Sequence, residues 1–420
     1  MARAFGEAVR RKRQERGETL EQVAHRIPRM DPKYLGELER GWHAATIPTA
    51  KKIADALENS ACGTRCQPLG EHHSLGLHVG PSHRRTSCGP HRDEVREAMA
   101  LDSAHDPVEP HFQSRPLQSN DGAETMKGLR RVGVWLGALG WAPATVEREA
   151  ASEVEELGFG ALWYSEAHNS KESLSHGALL LAATRRIVIA SGIANIWVRD
   201  PMAAVAGSNA LAEAYPGRFV LGLGVSHPPQ VAPRGHSYEK PVAAMRAYLE
   251  AMNASEYTGP RPSEPVPRLL GALRPAMLEL AATMADGAHP YLVPVEHTRR
   301  ARTILGRDKL LATEQFVLLE DDPAEARRLG REALAWYLTL PNYTDNLRWL
   351  GFSEEDLAGG GSDALVDALV AWGDEDAIRR RVLEHLEAGA DHVCIQPIGR
   401  KSDSIGIEQL RRLGPALLDL

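Results

Sequence analysis

The chain is short of cysteine and of long apolar runs. It has four cysteines in 420 residues, and only Cys394 sits in a strongly apolar run, so a disulfide framework is not expected. The opening segment MARAFGEAVRRKRQERG alternates charge with small apolar residues, which predicts neither a secretory signal nor a membrane span. We therefore expect a cytoplasmic protein with no membrane partner.

An excess of positive charge is also absent. The net charge of −7 argues against wholesale nucleic-acid binding, although the amino end carries a local basic patch. The balance of 43% hydrophobic and 25% charged residues is typical of a globular protein. The length favours two domains, or one large barrel with an appendage.

The chain divides into three segments that differ in composition. Residues 1–58 predict a small all-helical unit, residues 59–128 a linker, and residues 129–420 alternating strands and helices. The linker is rich in Pro, Gly, Ser and His without a sustained apolar period, so we predict that it is disordered. Its Cys62, Cys66 and Cys88, with seven histidines, suggest zinc, but their spacing matches no paired-ligand pattern and no metal site is predicted.

A regular alternation of short apolar runs and helical patterns begins at Arg131. Eight short apolar runs are separated mostly by helical patterns, and they are RVGVWLG, GALWYSE, RIVIASGI, RFVLGLG, PRLLGAL, AHPYLV, ATEQFVLL and DHVCIQPI. Strand followed by helix, repeated about eight times, predicts a (β/α)8 TIM barrel with insertions. A doubly wound open sheet is the alternative. Two longer interruptions, about 225–266 and 336–372, are expected on or near the catalytic face.

The third and fourth runs offer the best candidates for a site. Both are continuously apolar, which is typical of parallel strands buried on both faces, and both end in small residues that let a ligand approach. Helix signals flank them, with Asp200 and Pro201 opening the connecting helix. His227, after the fourth run, is a candidate catalytic acid or base, because imidazole exchanges protons near neutral pH. A surface or packing histidine is the alternative.

The amino-terminal unit carries recognisable pieces of a DNA-binding module. R-x-x-R-x-x-x-G is followed by TLEQVAHR, YLGELERG, and a proline before AKKIADAL. This pattern resembles the helix-turn-helix domain of the Cro and lambda-repressor (XRE) type over residues 5–57. The resemblance implies a recognition helix in the major groove with Lys33, Tyr34, Glu37 and Arg40 at DNA, and phosphate attraction by the basic run Arg10, Arg11, Lys12 and Arg13. A solvated basic helix face is the alternative, and the turn RIPRMD departs from the usual pattern.

The larger region carries a second resemblance. RRIVIASGIANIWVRDP, AEAYPGRFVLGLGVSHP, ADGAHPYLVP and WGDEDAIRRRVLEHLEAGADHVCIQ occur in the order typical of one family. Over about residues 130–400 the chain resembles the luciferase-like monooxygenase superfamily, and most closely its oxidoreductases that use the deazaflavin coenzyme F420. The resemblance implies a barrel with a flat deazaflavin, or alternatively FMN, across the carboxyl ends of the strands.

The resemblance also implies roles for particular residues. A bulge with a non-proline cis peptide would support the ring at Gly192 and Ile193, with an ordinary trans glycine bulge as the alternative. Asn195 would bond the carbonyl edge of the ring, and Glu166 would contact the cofactor or substrate as a second catalytic candidate, unless it pairs with an arginine. The remaining cofactor-binding candidates are Ser165, Ser191, Gly222, Gly224, Val225, Ser226, Gly271, Ala272 and Leu273.

Three further residues border this expected site. Arg274 would meet a phosphate or polar tail. Trp135 is expected either to form a wall of the pocket or to belong to the core, and His289 is expected to be a satisfied histidine near the barrel top.

The function expected from these patterns is an F420-dependent oxidoreductase that transfers a hydride between deazaflavin and a small organic substrate. Two alternatives stay open: an FMN-dependent monooxygenase on the same barrel, and a transcription regulator whose barrel senses a ligand or redox cofactor. DNA is a candidate partner of residues 1–58, and a homodimer is left open.

Overall fold

The structure, a computed structural model, describes residues 2–27, 30–39, 53, 128–399 and 405–420. Nearly all of the 59–128 linker lies outside these ranges, together with the cysteines and histidines for which no metal site is predicted. The segment AKKIADAL of the amino-terminal unit is described only at Ile53. The described residues fall into two units, a small amino-terminal one and a larger one.

The amino-terminal unit contains three short helices around a small apolar core. They are α1 (Ala2–Glu15), α2 (Leu20–His25) and α3 (Pro32–Glu39). Helix α2 begins with a capping box, because the Thr19 hydroxyl accepts from the Gln22 N–H and the Gln22 side chain accepts from the Thr19 N–H. The core comprises Val9, Val23, Ala24, Ile27, Leu35, Leu38 and Ile53. The prediction of an all-helical unit is thus confirmed for the described residues.

Arg13 has a structural partner in this unit. Its guanidinium donates to both carboxylate oxygens of Glu39, with Nε–Oε1 and Nη2–Oε2 distances of 2.7 and 2.8 Å. The two-pronged pair is mostly buried and joins α1 to α3. The expectation that Arg13 attracts phosphate is therefore corrected, because its donors are committed within the unit.

The four residues predicted to meet DNA are only partly described. Lys33 is exposed and Tyr34 is half-buried against the small core. The side chain of Glu37 and all of Arg40 lie outside the described residues. DNA binding stays a prediction.

The larger unit contains ten strands within the described ranges. They are β1 (Val132–Trp135), β2 (Ala161–Tyr164), β3 (Val188–Ser191), β4 (Ala194–Asn195), β5 (Phe219–Gly224), β6 (Arg268–Leu270), β7 (Gly287–Ala288), β8 (Leu310–Leu319), β9 (Val370–Gly373) and β10 (His392–Pro397). All but β4 and β9 form a closed ring of parallel strands, because β10 pairs with both β1 and β8. This closure confirms the (β/α)8 barrel and excludes the open doubly wound sheet.

Helices surround and connect the strands. They are α4 (Ala144–Leu157), α5 (Ser173–Ala183), α6 (Pro201–Ala214), α7 (Pro228–Val231), α8 (Pro241–Ala254), α9 (Pro275–Met284), α10 (Val295–Leu305), α11 (Pro323–Leu334), α12 (Pro341–Leu350), α13 (Glu354–Leu357), α14 (Asp363–Leu369), α15 (Glu375–Glu387) and α16 (Ile407–Leu417). The Asp200 carboxylate accepts from the Ala203 N–H at the start of α6, as its cap position predicts.

Two short strands lie outside the barrel ring. Strand β4 follows the bulge after β3 and pairs with the end of β5. Strand β9 pairs with the far half of β8, from Phe316 to Leu319, and belongs to the segment expected as an interruption. The sixth predicted run is strand only at its start, since β7 ends at Ala288 and a buried loop follows.

Two kinds of structure, a membrane-spanning helix and a metal-binding cluster, are absent from the described residues. None of the described helices is both long and apolar enough to span a bilayer. The described ranges also contain no group of three or more His, Cys, Asp or Glu side chains that could hold a metal ion.

Candidate active site

A cavity of about 1150 Å³ lies at the carboxyl ends of the barrel strands. Most of the predicted site residues line it, and they are Ser165, Glu166, Gly192, Ile193, Gly224, Val225, Ser226, His227, Gly271, Ala272 and Leu273. They come from the loops after β2, β3, β5 and β6, because parallel strands in a closed barrel bring their carboxyl ends to one face. The structure brings these residues together, and their roles in binding stay predictions.

Three predicted cofactor-binding residues do not line this cavity. The Ser191 hydroxyl donates to the Gly222 carbonyl at 2.9 Å and accepts from the Gly222 N–H at 3.0 Å. A Cβ on Gly222 would stand 1.9 Å from the Ser191 carbonyl oxygen, so this glycine allows β3 and β5 to approach closely. Asn195 is buried, and its Oδ1 accepts from the Trp197 N–H at 3.0 Å. These three residues hold the strands and the bulge, and their roles in cofactor binding stay predictions.

The bulge after β3 places Ile193 against two glycines. The peptide bond between Gly192 and Ile193 is cis, as the resemblance implied. A Cβ on Gly224 would stand 2.4 Å from the Ile193 side chain, and one on Gly271 would stand 3.2 Å from it. These glycines therefore make room for Ile193, which forms an apolar part of the cavity wall.

Glu166 lines the cavity, but its acceptor positions are occupied. Its Oε1 forms an ion pair with Arg199 and accepts from the Ser173 N–H at 2.9 Å. Its Oε2 accepts from the Asn195 N–H at 2.8 Å. The carboxylate thus joins the β2 loop, α5 and the bulge. The pairing with an arginine, which was left open, is present, and the catalytic and cofactor roles of Glu166 stay predictions.

His227 stands at the mouth of the same cavity with one ring nitrogen fixed. Its Nδ1–H donates to the Oδ1 of Asn342 at 3.0 Å, across 115 positions of sequence. Burial lowers the pKa of His227 to about 4, although the bond to Asn342 opposes this shift. The imidazole is therefore neutral at pH 7, and Nε2 carries the lone pair.

An aromatic wall faces His227 from the second long interruption. It is formed by Trp336, Tyr337, Tyr343 and Trp349. The ring centroids of His227 and Tyr343 lie 5.4 Å apart. Sequence reasoning placed this interruption near the catalytic face but named none of these residues. The concentration of aromatic residues between 336 and 349, in a chain with only 5% of them, is the signal that could have found the wall.

Trp135 and His289 lie deeper in the cavity than His227. Both line it, and they are only 6% and 1% exposed. His289 was expected to be satisfied, but this is true of one nitrogen only. Its Nδ1–H donates to the Ala312 carbonyl at 2.9 Å, whereas Nε2 has no partner among the described residues.

A cation, Arg274, also lines the cavity. Arg274 follows β6 and keeps about half of its side chain exposed. The nearest carboxylate oxygen, on Asp345, is 3.7 Å from its Nη1. A half-exposed guanidinium with a loose ion pair is able to meet an anionic group at the rim.

Comparison with known proteins assigns the chain to a family. A family model described as luciferase-like monooxygenase matches residues 126–392. The chain belongs to this family. Its members are oxidoreductases, and the cavity at the strand ends is where a barrel of this kind carries its chemistry.

Curated relatives are distant in sequence. The chain is 24% identical over 291 residues to a 5,10-methylenetetrahydromethanopterin reductase of Methanolobus tindarius, covering 59% of this chain and 89% of the relative. It is also 24% identical over 337 residues to a putative coenzyme F420-dependent oxidoreductase of Mycobacterium tuberculosis, covering 64% of this chain and 96% of the relative.

Solved structures of the luciferase-like type share the fold. A coenzyme F420-dependent tetrahydromethanopterin reductase from Methanopyrus kandleri has a TM-score of 0.57 at 17% identity, covering 69% of this chain and 99% of its own. The oxygenating constituent of 3,6-diketocamphane monooxygenase from Pseudomonas putida, in complex with FMN, has a TM-score of 0.51 at 14% identity over the same shares. At these identities the likeness shows the barrel alone.

Proposed function

We propose that this luciferase-like protein is a coenzyme F420-dependent oxidoreductase that transfers a hydride between deazaflavin and a small organic substrate. The observation that carries the proposal is the match to a relative named for F420 over 96% of that relative's length. A match of this extent goes beyond a short motif, whereas a shared fold alone leaves the cofactor open.

The described residues fit such a cofactor. The cavity of about 1150 Å³ accommodates a flat tricyclic ring together with a substrate. Its walls are largely apolar and aromatic, two buried ring nitrogens lie at its depth, and Arg274 stands at its rim. This distribution suits a cofactor with a flat polar-edged ring and an anionic tail.

The chemistry needs one hydride path and one proton path. Bound deazaflavin supplies a ring carbon that accepts or donates the hydride. For the oxidation of an alcohol to a carbonyl compound, the deazaflavin would take the C–H hydride, and a base of the protein would take the O–H proton. Neutral His227 has the lone pair on Nε2 to take that proton. Asn342 holds the imidazole in this tautomer.

The proposal is tested by turnover of the purified full chain with F420 and a panel of primary and secondary alcohols and their carbonyl products. We expect deazaflavin to be reduced or oxidised stoichiometrically with at least one pair, and His227→Ala to lose most of this rate. Turnover with reduced FMN and oxygen, without any F420 reaction, would instead establish the monooxygenase alternative.

A further inference from the structure

Two unpartnered nitrogens lie side by side in the depth of the cavity. Neither Trp135 Nε1 nor His289 Nε2 has a hydrogen-bond partner among the described residues, and both atoms are fully buried. Buried polar groups in folded proteins are almost always paired, because an unpaired one loses its hydration without compensation. Two such atoms on one wall of a cavity therefore indicate that a ligand supplies their partners.

The hydrogen-bonding character of each atom is fixed by its chemistry and surroundings. The indole Nε1–H of Trp135 only donates. The His289 Nδ1 contacts the Ala312 carbonyl, which only accepts, so Nδ1 carries the proton and Nε2 is left as an acceptor. Burial also lowers the pKa of His289 to about 4, which keeps the ring neutral at pH 7. The wall thus presents one donor and one acceptor.

Both rings are held in place by their neighbours. The His289 ring stacks on Trp163, with centroids 4.3 Å apart and planes 16° apart. The Trp135 ring lies 5.1 Å from that of Tyr291, whose hydroxyl donates to the Gln396 side chain at 2.9 Å. A donor and an acceptor that are held in place are suited to binding a ligand with a matching acceptor and donor.

Gly192 brings the two nitrogens to one place. A Cβ on this glycine would stand 2.6 Å from Trp135 Nε1 and 2.8 Å from His289 Nε2. Any side chain here would cover the pair. Because it has no side chain, Gly192 packs its backbone against both buried nitrogens at the bulge that lines the cavity.

We propose that Trp135 and His289 bind the polar edge of the deazaflavin's pyrimidine ring, with Trp135 donating to a ring carbonyl and His289 accepting from the adjacent ring N–H. This inference rests on the proposed function. An adjoining N–H and C=O pair complements an acceptor beside a donor. A substrate hydroxyl has the same two capacities, but the pair lies at the depth of the cavity, whereas His227 and the half-exposed Trp336 mark its mouth.

The test compares F420 with a derivative methylated at that ring nitrogen, and its readout is the equilibrium dissociation constant from fluorescence quenching. The wild-type full chain is expected to bind F420 about 10-fold more tightly than the methylated form, since methylation leaves His289 Nε2 unpaired. The variant His289→Phe is expected to bind both alike. Trp135→Phe, which keeps an aromatic ring, is expected to weaken both by about 5-fold.

A matched control separates this role from general loss of a tryptophan. The Trp372 indole N–H is partnered by the Asp367 carboxylate at 2.8 Å and does not line the cavity, so Trp372→Phe is expected to leave both dissociation constants unchanged. If His289→Phe fails to fold, the methylated derivative on wild-type protein and on Trp135→Phe still decides the matter.

The outcomes distinguish the inference from the function on which it rests. Equal affinity of the wild-type protein for the two forms overturns the pyrimidine assignment while F420 dependence stands. An unchanged F420 dissociation constant in His289→Phe, with a raised KM for the alcohol, assigns the pair to the substrate and also overturns it. Binding of neither form overturns the proposed function itself.

Discussion

At the scale of single residues, the proton transfer of the proposed function depends on the pair of His227 and Asn342. The two side chains come from the two long interruptions of the barrel, and their contact sets which imidazole nitrogen faces the reaction. At pH 7 this histidine is neutral and can accept a proton, but a pKa of about 4 makes it a weak base.

Asn342→Ala removes the acceptor of the Nδ1–H, so we expect turnover to fall by about 10-fold while F420 affinity stays unchanged. The bond to Asn342 raises the pKa of His227, so its loss should lower that pKa further below about 4. The fall in rate on the acid side, where His227 becomes protonated, should then move to lower pH. Steady-state rates across pH measure both effects. Thr344→Ala, on the same helix but outside the cavity lining, is the control. Unchanged turnover and profile in Asn342→Ala would remove Asn342 from the mechanism.

Glu314 gives a second prediction at this scale. It is fully buried on β8, only its Oε2 accepts a bond, from the Leu292 N–H at 2.8 Å, and burial raises its pKa to about 8. Its folded pKa is above its unfolded value, so its contribution to stability is present below about 4.5 and lost as pH rises through about 8. Glu314→Gln should therefore gain in melting temperature over wild type as pH rises from 5 to 8. A difference that does not change with pH would contradict this account.

At the scale of elements, loops are held to the barrel by buried charges. Lys171 donates to the carbonyls of Leu139 and Ala142 at 2.8 and 2.6 Å, and its ammonium lies 2.8 Å from the Glu147 carboxylate. This fastens the turn at Gly137–Gly140, which contributes to the cavity wall. Glu147 is fully buried, and its Oε2 also lies 3.1 Å from the Nε2 of His176.

Lys171→Met leaves the Glu147 carboxylate buried without its cation, and we expect the free energy of unfolding to fall by about 3 kcal/mol. The double variant Lys171→Met with Glu147→Gln should recover a large part of that loss, because the uncompensated charge is gone. Urea denaturation of the wild-type protein and the three variants measures the coupling. Strictly additive losses would show that the pair has no energetic coupling.

Some of these elements and contacts could be predicted from the sequence, and others could not. Eight apolar runs, together with Asp200 and Gly192, were sufficient to predict the barrel and the strand ends that line the cavity. Glu166 with Arg199, and His227 with Asn342, pair across 33 and 115 positions, and no local pattern predicts such partners. Strand β9 was missed because LVDALVAWG continues a helical pattern into a strand that only β8 stabilises.

At the scale of the whole molecule, buried histidines make the barrel sensitive to acid. Burial lowers the pKa of His176, His227, His289, His297 and His392 to about 4, and that of His385 to about 3. The unfolded chain binds these protons from about pH 6.5 downwards, so their contribution to stability is present above 6.5 and lost as pH falls towards 4. The urea midpoint should drop steeply over that range. Equal midpoints at pH 7 and pH 5 would contradict the neutral state of these side chains.

The barrel unit contains every residue that lines the cavity. A chain beginning at Met126 should therefore bind F420 and turn over substrate like the full chain, as measured by the same titration and assay. Loss of F420 binding in a folded protein of this length would show that the amino-terminal residues contribute to the site.

The account depends most on which cofactor the cavity holds. A fluorescence and absorbance titration of the purified full chain with F420 and, separately, with FMN answers this directly. We expect saturable, stoichiometric F420 binding in the micromolar range or tighter, with FMN at least about 10-fold weaker. Micromolar binding of FMN with no detectable binding of F420 would contradict the proposed function.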